Sequence, residues 1–129
     1  MRVWTVPAVL AAVLAASGLS NEPSEAAMRA AFEASLAAQV RSALDFVAET
    51  GGEAALARIR AARTDAFDLR AFIKRDCAPA PDRAGHVCEF AVRIDVVTGA
   101  LERTLTGRFY RGPRGLEFVD TDARTPNGA

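Results

Sequence analysis

The sequence contains few of the residues on which common enzyme mechanisms depend. It has one histidine and two cysteines in 129 residues, and it has no Gly-x-Ser-x-Gly elbow, nucleotide-binding loop, dinucleotide fingerprint or EF-hand pattern. His86 is the only possible imidazole base, and it follows a stretch with the composition of an exposed turn. We therefore expect a protein that is not an enzyme and that needs no cofactor or metal.

The charge balance argues against a second class of function. Lysine plus arginine and aspartate plus glutamate both total 16, so the formal net charge is zero. Because no large field of one sign exists, we do not expect nucleic acid as a partner. A chain of 129 residues, half of them hydrophobic, is long enough for one domain with a core of its own and leaves no room for a second.

The first 20 residues have the pattern of a secretory signal peptide. Arg2 precedes an apolar run over residues 3–16, and small residues follow at the expected cleavage site near residues 17–20. The run is shorter than the roughly 18 residues of a membrane span, and Pro7 interrupts it. We expect a periplasmic or secreted protein with no stable membrane span after cleavage; an uncleaved anchor is the alternative.

The mature chain begins with a long helix. Residues 21–25 combine cap-forming and acidic residues with a proline, which is typical of a helix start. Gly51 and Gly52 should end or kink this helix, and a weaker helical stretch follows over residues 53–63. The apolar residues that recur at helical spacing are Met28, Phe32, Leu36, Val40, Ala43, Leu44 and Val47.

Four strands follow, and their alternating patterns predict which residues face the core. Residues 88–96 alternate apolar and polar side chains. The earlier residues Phe67, Leu69, Ala71, Ile73 and Cys77 share one parity. Together with the helix, this pattern predicts an α+β fold over residues 21–120, with a four-stranded antiparallel meander and a disordered tail at 121–129.

A turn at Thr98-Gly99 would set Phe90 opposite Gly107, so that a ring lies over a missing side chain. Pairing Cys77 with Cys88 would likewise set Ile73 beside Val92. Arg75 and Arg103 break the parity, and we expect each of them at an edge or a bulge.

The two cysteines are expected to form a disulfide. Cys77 and Cys88 lie on neighbouring strands of one face in an exported chain, so a disulfide would close the loop between them and stabilise the fold by about 2–3 kcal/mol. A zinc site formed by Cys77, His86 and Cys88 is the alternative, but no fourth ligand or general base is marked.

Two polar groups are candidates for binding or chemistry. Asp95 and Glu102 would be cross-strand neighbours on the outer face, but Arg70 and Arg93 beside them favour a solvated ladder of mixed charge. The second group lies around the last turn and could hold a phosphate, a sugar acid or an acidic peptide, although a hairpin turn with solubilising charges is the simpler interpretation. Its members are Arg108, Tyr110, Arg111 and Arg114.

The order of one helix and then a meander resembles the cystatin-like and NTF2-like folds. The residues Val96-Val97-Thr98-Gly99 resemble the hairpin motif that cystatins insert into papain-type proteases. However, Asp95 stands where the cystatin motif has glutamine, and the Pro-Trp of the second loop is absent. The layout of residues 77–118 also resembles small exported Gram-negative proteins of unknown function. These resemblances imply a cystatin-like fold but do not imply an activity.

We therefore expect a small exported domain, closed by a disulfide, that binds an unknown protein or small ligand in the cell envelope. The main alternative is an NTF2-like pocket for a small apolar ligand. Cystatin-like protease inhibition is the least favoured of the three.

The intact mass of the exported protein tests both cleavage and the disulfide. We expect a chain that lacks about 17–20 residues and that takes up a thiol-alkylating reagent only after reduction. A full-length mass with two reactive thiols would contradict both expectations.

Overall fold

The fold consists of one helix followed by a four-stranded antiparallel sheet, as a computed structural model describes it for residues 21–121. Helix α1 spans Glu25–Ala62. The strands are β1 Phe67–Pro79, β2 His86–Val96, β3 Gly99–Gly112 and β4 Gly115–Asp120, and they lie in the order β1-β2-β3-β4. The predicted α+β fold is thereby confirmed. The predicted signal peptide, and all of the predicted tail except Thr121, lie outside the described residues.

Helix α1 begins and bends where its sequence indicates. Ser24 is the N-cap, and its hydroxyl accepts a hydrogen bond from the backbone N–H of Ala27 at 3.1 Å. Gly52 has φ 76° and ψ −174°, so the helix is kinked there, as the paired glycines predict. Arg63 closes the helix in the left-handed conformation. Within residues 21–121, no helix is both long and apolar enough to span a membrane.

The kink at Gly52 directs the rest of the helix back toward the sheet. A straight helix of 38 residues would be about 57 Å long. However, Arg29 near its start donates a hydrogen bond to the carbonyl of Leu69 in β1, and the connection over residues 63–66 can span only about 14 Å. Both conditions can hold only if the segment after Gly52 reverses direction.

The first part of α1 supplies the buried helix residues of the main core cluster, and Leu56, after the kink, is buried as well. Met28, Ala31 and Phe32 are buried, and Leu36 packs against them. Beyond Leu36, the predicted apolar residues of the helix are half-buried or exposed, and Phe46 is 64% exposed. The expectation that all of the predicted apolar helix residues cover the sheet was therefore wrong for residues 40–47. The core cluster shared by the helix and the sheet extends along the helix only as far as Leu36, about three turns from its start.

The core is built mainly from phenylalanine rings. Phe90 is fully buried, and its ring centroid lies 4.9 Å from that of Phe72 and 5.2 Å from that of Phe32. Phe109 and Phe118 each lie 5.6 Å from Phe90 and 5.0 Å from each other. Contacts of this geometry add a favourable term beyond the burial of apolar area.

Two β-bulges in β1 overturn the predicted facing of that strand. Its register against β2 shifts between Leu69 and Ala71 and again between Lys74 and Cys77. As a result Phe72, not Ile73, lies opposite Val92; Phe72 is 6% exposed and Ile73 is 49% exposed. The physical reason is that the bulges bring the larger ring of Phe72 onto Phe90. The second bulge also contains Arg75, which confirms its predicted position at an irregularity.

The turn between β2 and β3 is shifted by one residue from the predicted turn. Val97 and Thr98 form it, and Gly99 follows with φ +139°, a conformation that favours glycine. Phe90 therefore lies opposite Leu105, and Gly107 lies opposite Cys88. A pairing shift of two residues preserves the two faces of the strand, so the buried positions of β2 were predicted correctly although their partners were not.

The ring that covers Gly107 belongs to Phe118 instead of Phe90. A Cβ atom at Gly107 would overlap the ring of Phe118. The predicted contact between Phe109 and Phe118 is confirmed, since the two residues pair directly across β3 and β4.

Substitutions at Phe72 and Ile73 distinguish the observed register from the regular one. We expect Phe72→Ala to lower the free energy of unfolding by about 3–5 kcal/mol, because it empties a buried aromatic site. Ile73→Ala should cost about 1 kcal/mol or less, because this side chain is half exposed. Urea unfolding of both variants provides the test, and the opposite order of stability would indicate a strand without bulges.

Candidate functional site

The disulfide closes the loop between β1 and β2. Cys77 and Cys88 pair directly across the two strands and are joined at their sulfurs. Cys88 is fully buried. Both sulfurs are bonded to each other, so neither is a free thiolate and the alternative zinc site is excluded. His86 starts β2 opposite Phe109 and is half-buried. Among residues 21–121, no group of three or more His, Cys, Asp or Glu side chains is arranged to hold a metal ion.

The four residues predicted around the last turn do not form one cluster. Arg108 and Tyr110 alternate with Phe109 along β3, so they lie on the outer face of the sheet while Phe109 points into the core. Arg111 has the parity of Phe109 and lines a depression with His86 and Pro23. Arg114 lies in the turn between β3 and β4. Their proximity in sequence therefore does not make them one binding site.

Arg108 and Tyr110 have partners within the protein. The guanidinium of Arg108 stacks over the ring of Tyr110 at 4.3 Å, and its Nη1 donates to the carbonyl of Ala84 at 2.9 Å. The hydroxyl of Tyr110 donates to Oε1 of Glu117 at 3.3 Å. These contacts fix the disulfide loop against the β3–β4 hairpin, which is a structural use of both side chains.

Arg114 contributes to a groove between α1 and β4. The groove has a volume of about 470 Å³, and Arg41 and Arg114 both line it. Small helix residues and Phe118 also line it. We call it the α1–β4 groove; its other lining residues are Ala31, Ala34, Ser35, Ala38, Leu116 and Glu117.

Glu117 lies opposite Tyr110 in the β3–β4 pair, so its carboxylate lies on the outer face of the sheet, away from α1. Its Oε2 is buried and has no hydrogen-bond partner among the described residues. Gly112 permits this position, because a Cβ atom there would overlap the Glu117 carboxylate. The α1–β4 groove itself therefore combines apolar side chains with the two cationic side chains of Arg41 and Arg114.

Arg41 was missed by the sequence analysis. The signal that could have found it is the run of small residues Ala31, Ala34, Ser35 and Ala38, which share one helical face that leads to Arg41. This face allows β4 to approach the helix and places Arg41 at the end of the groove.

Asp95 and Glu102 are not cross-strand neighbours. Asp95 lies opposite Ala100, and Glu102 lies opposite Arg93. Arg93 lies 3.6 Å from Asp95 and 3.9 Å from Glu102, and Arg70 lies 3.4 Å from Asp95. The predicted ladder of mixed charge is confirmed, and a carboxylate dyad for acid–base catalysis is not present at this position. A hydrogen bond from Arg70 to Asp68 raises the pKa of Arg70.

Lys74, the single lysine, fixes the start of the domain to β1. Its Nζ lies 2.8 Å from Oε1 of Glu22 and donates to the carbonyl of Pro23 at 2.8 Å. The hydrogen bond and the charge of Lys74 lower the pKa of Glu22. No local pattern indicates this contact, since the partners are about 50 positions apart. The contact shows that residues 22–23 belong to the folded domain.

Comparisons with known protein families, with curated proteins and with solved structures found no match. The observed order of helix and meander fits the layout of cystatin-like folds, but no relative supports that grouping. The turn at Val97 and Thr98 lies at the end of the sheet opposite the β3–β4 turn.

The Glu22–Lys74 pair predicts a pH-dependent contribution to stability. The pKa of Glu22 in the folded chain lies below its ordinary value of 4.5, so the pair stabilises the fold above pH 4.5 and this contribution is lost as the pH falls through the lowered pKa. We expect Glu22→Gln to lower the urea midpoint at pH 7 and to have a smaller effect at pH 3.

Glu49→Gln is the matched control, because Glu49 is an exposed helix residue and the substitution removes the same charge. An equal loss of stability at pH 7 and pH 3 in Glu22→Gln would contradict the assignment of the pair.

Proposed function

We propose that this protein is an exported, non-catalytic binding domain whose α1–β4 groove holds a ligand with an acidic group on an apolar body. The observation that carries the proposal is the presence of Arg41 and Arg114 in one groove over an apolar floor. Guanidinium groups bind carboxylates and phosphates through charge-assisted hydrogen bonds. Ligand sites are typically concave and mostly apolar, with a few polar groups that fix orientation.

Export is supported by the disulfide. Disulfides persist in oxidising compartments such as the periplasm and the extracellular space, and Cys77 and Cys88 are paired. The bond and the Arg108–Ala84 contact brace the loop end of the sheet, beside the hairpin that carries Arg114. A rigid frame of this kind suits a binding surface, because little order has to be gained when the ligand binds.

The proposed groove differs from the NTF2-like pocket considered above, because it lies at the surface and not between the helix and the sheet. The space between α1 and the sheet is occupied by Phe32, Phe72 and Phe90, whose ring centroids lie 4.9–5.9 Å apart. Rings at this separation leave no room for a ligand between them. The groove of about 470 Å³ at the edge of that interface lies within the usual size range of ligand sites.

Titration with octanoate and with octan-1-ol tests the proposed ligand chemistry. The two probes share an apolar chain and differ in the acidic group. We expect octanoate to shift the amide NMR signals of residues 34–41 and 114–118, and to bind more tightly than octan-1-ol. Arg114→Ala should weaken octanoate binding about tenfold, the effect of losing about 1.4 kcal/mol.

Two further variants separate charge from space. Arg58→Ala removes an exposed helix cation outside the groove and should leave octanoate binding unchanged. Ala38→Leu fills the floor without changing the charge and should weaken both probes. Equal binding of the two probes, or equal losses in Arg114→Ala and Arg58→Ala, would contradict the proposal.

A further inference from the structure

The outer edge of β1 is closed by the helix. The backbone N–H of Lys74 donates to Oε2 of Glu25 at 2.8 Å, and the carbonyl of Leu69 accepts from Arg29. Both helix residues thus occupy backbone groups that a further strand would need. A second chain is therefore not expected to pair along the centre of β1.

The opposite side of the sheet is different. Strand β4 pairs only with residues 107–112 of β3. At Thr121 the chain bends, and the hydroxyl of this residue donates to the carbonyl of Thr106 at 2.8 Å. In the part of the chain that the structure describes, no strand lies beside residues 99–105 on this side. We call these residues the open edge.

The direction of the backbone groups along the open edge follows from Thr106. Its carbonyl points to the β4 side, and successive residues of a strand direct their N–H and C=O groups to alternate sides. Ala100, Glu102 and Thr104 therefore present six backbone groups at the open edge. Nη1 of Arg103 donates to the carbonyl of Glu102 at 3.1 Å, which covers one of these groups with an exposed and easily displaced side chain.

We propose that the open edge binds an extended segment of another protein that pairs antiparallel with β3 and places an acidic side chain opposite Arg103. The inference concerns a different surface from the α1–β4 groove and does not depend on it. An added strand would supply partners for the six backbone groups, which is the usual basis of strand addition. The carboxylate would replace the Glu102 carbonyl as the partner of the Arg103 guanidinium.

The neighbouring side chains define the rest of the segment. Leu101 is 41% exposed and Leu105 is half-buried, and both share the helix-side face with Arg103. Apolar residues opposite them would cover this surface. On the other face Glu102 is exposed and lies 3.9 Å from Arg93, so a basic residue is expected opposite it.

Two other occupants fit the charges less well. Continuing the β4 register would place Arg124 of the C-terminal segment opposite Arg103, and like charges directly opposite each other are destabilising. A second copy of the chain meets the same obstacle. When two copies pair antiparallel, the register that uses all six backbone groups places Glu102 of one copy opposite Glu102 of the other. The neighbouring register, centred one residue closer to Thr106, places Arg103 opposite Arg103.

Two capped peptides of identical composition test the proposal on the full mature chain. The matched peptide is Val-Thr-Glu-Lys-Val-Thr, which in antiparallel pairing sets Glu opposite Arg103 and Lys opposite Glu102. The swapped peptide is Val-Thr-Lys-Glu-Val-Thr. By fluorescence anisotropy of labelled peptides we expect the matched peptide to bind at least tenfold more tightly, and we expect Arg103→Glu to reverse the preference.

Arg75→Glu is the control, since Arg75 is an exposed residue in the bulge of β1 and the substitution makes the same charge change. It should keep the wild-type preference, and thermal melts should confirm that both variants fold. Absence of binding, or equal binding of the two peptides, would overturn the proposal. A dimer in sedimentation that Arg103→Glu converts to monomers would also overturn it, because a second copy would then occupy the open edge. Binding of the matched peptide only after removal of residues 122–129 would overturn it as well, because the C-terminal segment would then occupy the edge. The Arg114→Ala variant should bind both peptides as the wild type does, so failure at the groove and failure at the open edge can be told apart.

Discussion

The stacking of Phe72 on Phe90, with Phe32 against both, is the contact on which the rest of the fold depends. Each described element contributes one ring to this group: α1 gives Phe32, β1 gives Phe72, β2 gives Phe90, β3 gives Phe109 and β4 gives Phe118. Full burial of a phenylalanine side chain contributes about 1.5–3 kcal/mol. A small domain with a core of about ten residues therefore draws a large part of its stability from five side chains.

This dependence explains which part of the sheet could be predicted from the sequence. The alternation in β2 predicted the correct faces, because β2 itself contains no bulge, its pairing with β3 is regular along its whole length, and Phe90 and Val92 lie on one parity. In β1 the same reasoning failed at Phe72 and Ile73. Two bulges there depend on how one ring fits against another across the sheet, and a parity rule within one strand contains no information about that fit.

The candidate site was predictable to the extent that it depended on strand pairing. The disulfide was predicted correctly because the register at the Cys77 end of β1 is regular. The arginine cluster was predicted as one site because its members are close in sequence, whereas strand alternation sends Arg108 and Arg111 to different faces. The small residues of α1 indicate the helix side of the groove near Arg41, but no local pattern pairs them with β4, because the residues of α1 and β4 that line the groove are more than 70 positions apart.

The position of the helix also determines which sheet edge stays open. Glu25 and Arg29 are separated by one helical turn and reach the backbone of β1, while Met28 and Phe32, one turn apart on the adjacent face, enter the core. The first two turns of α1 therefore both bury the core and close the β1 edge. Among the described residues, no hydrogen bond joins the helix to residues 99–105. Strand β4 is only six residues long and lies beside the other half of β3. The asymmetry between the two edges thus follows from the placement of α1 and the length of β4, and Arg103 is the side chain left to cover the exposed half.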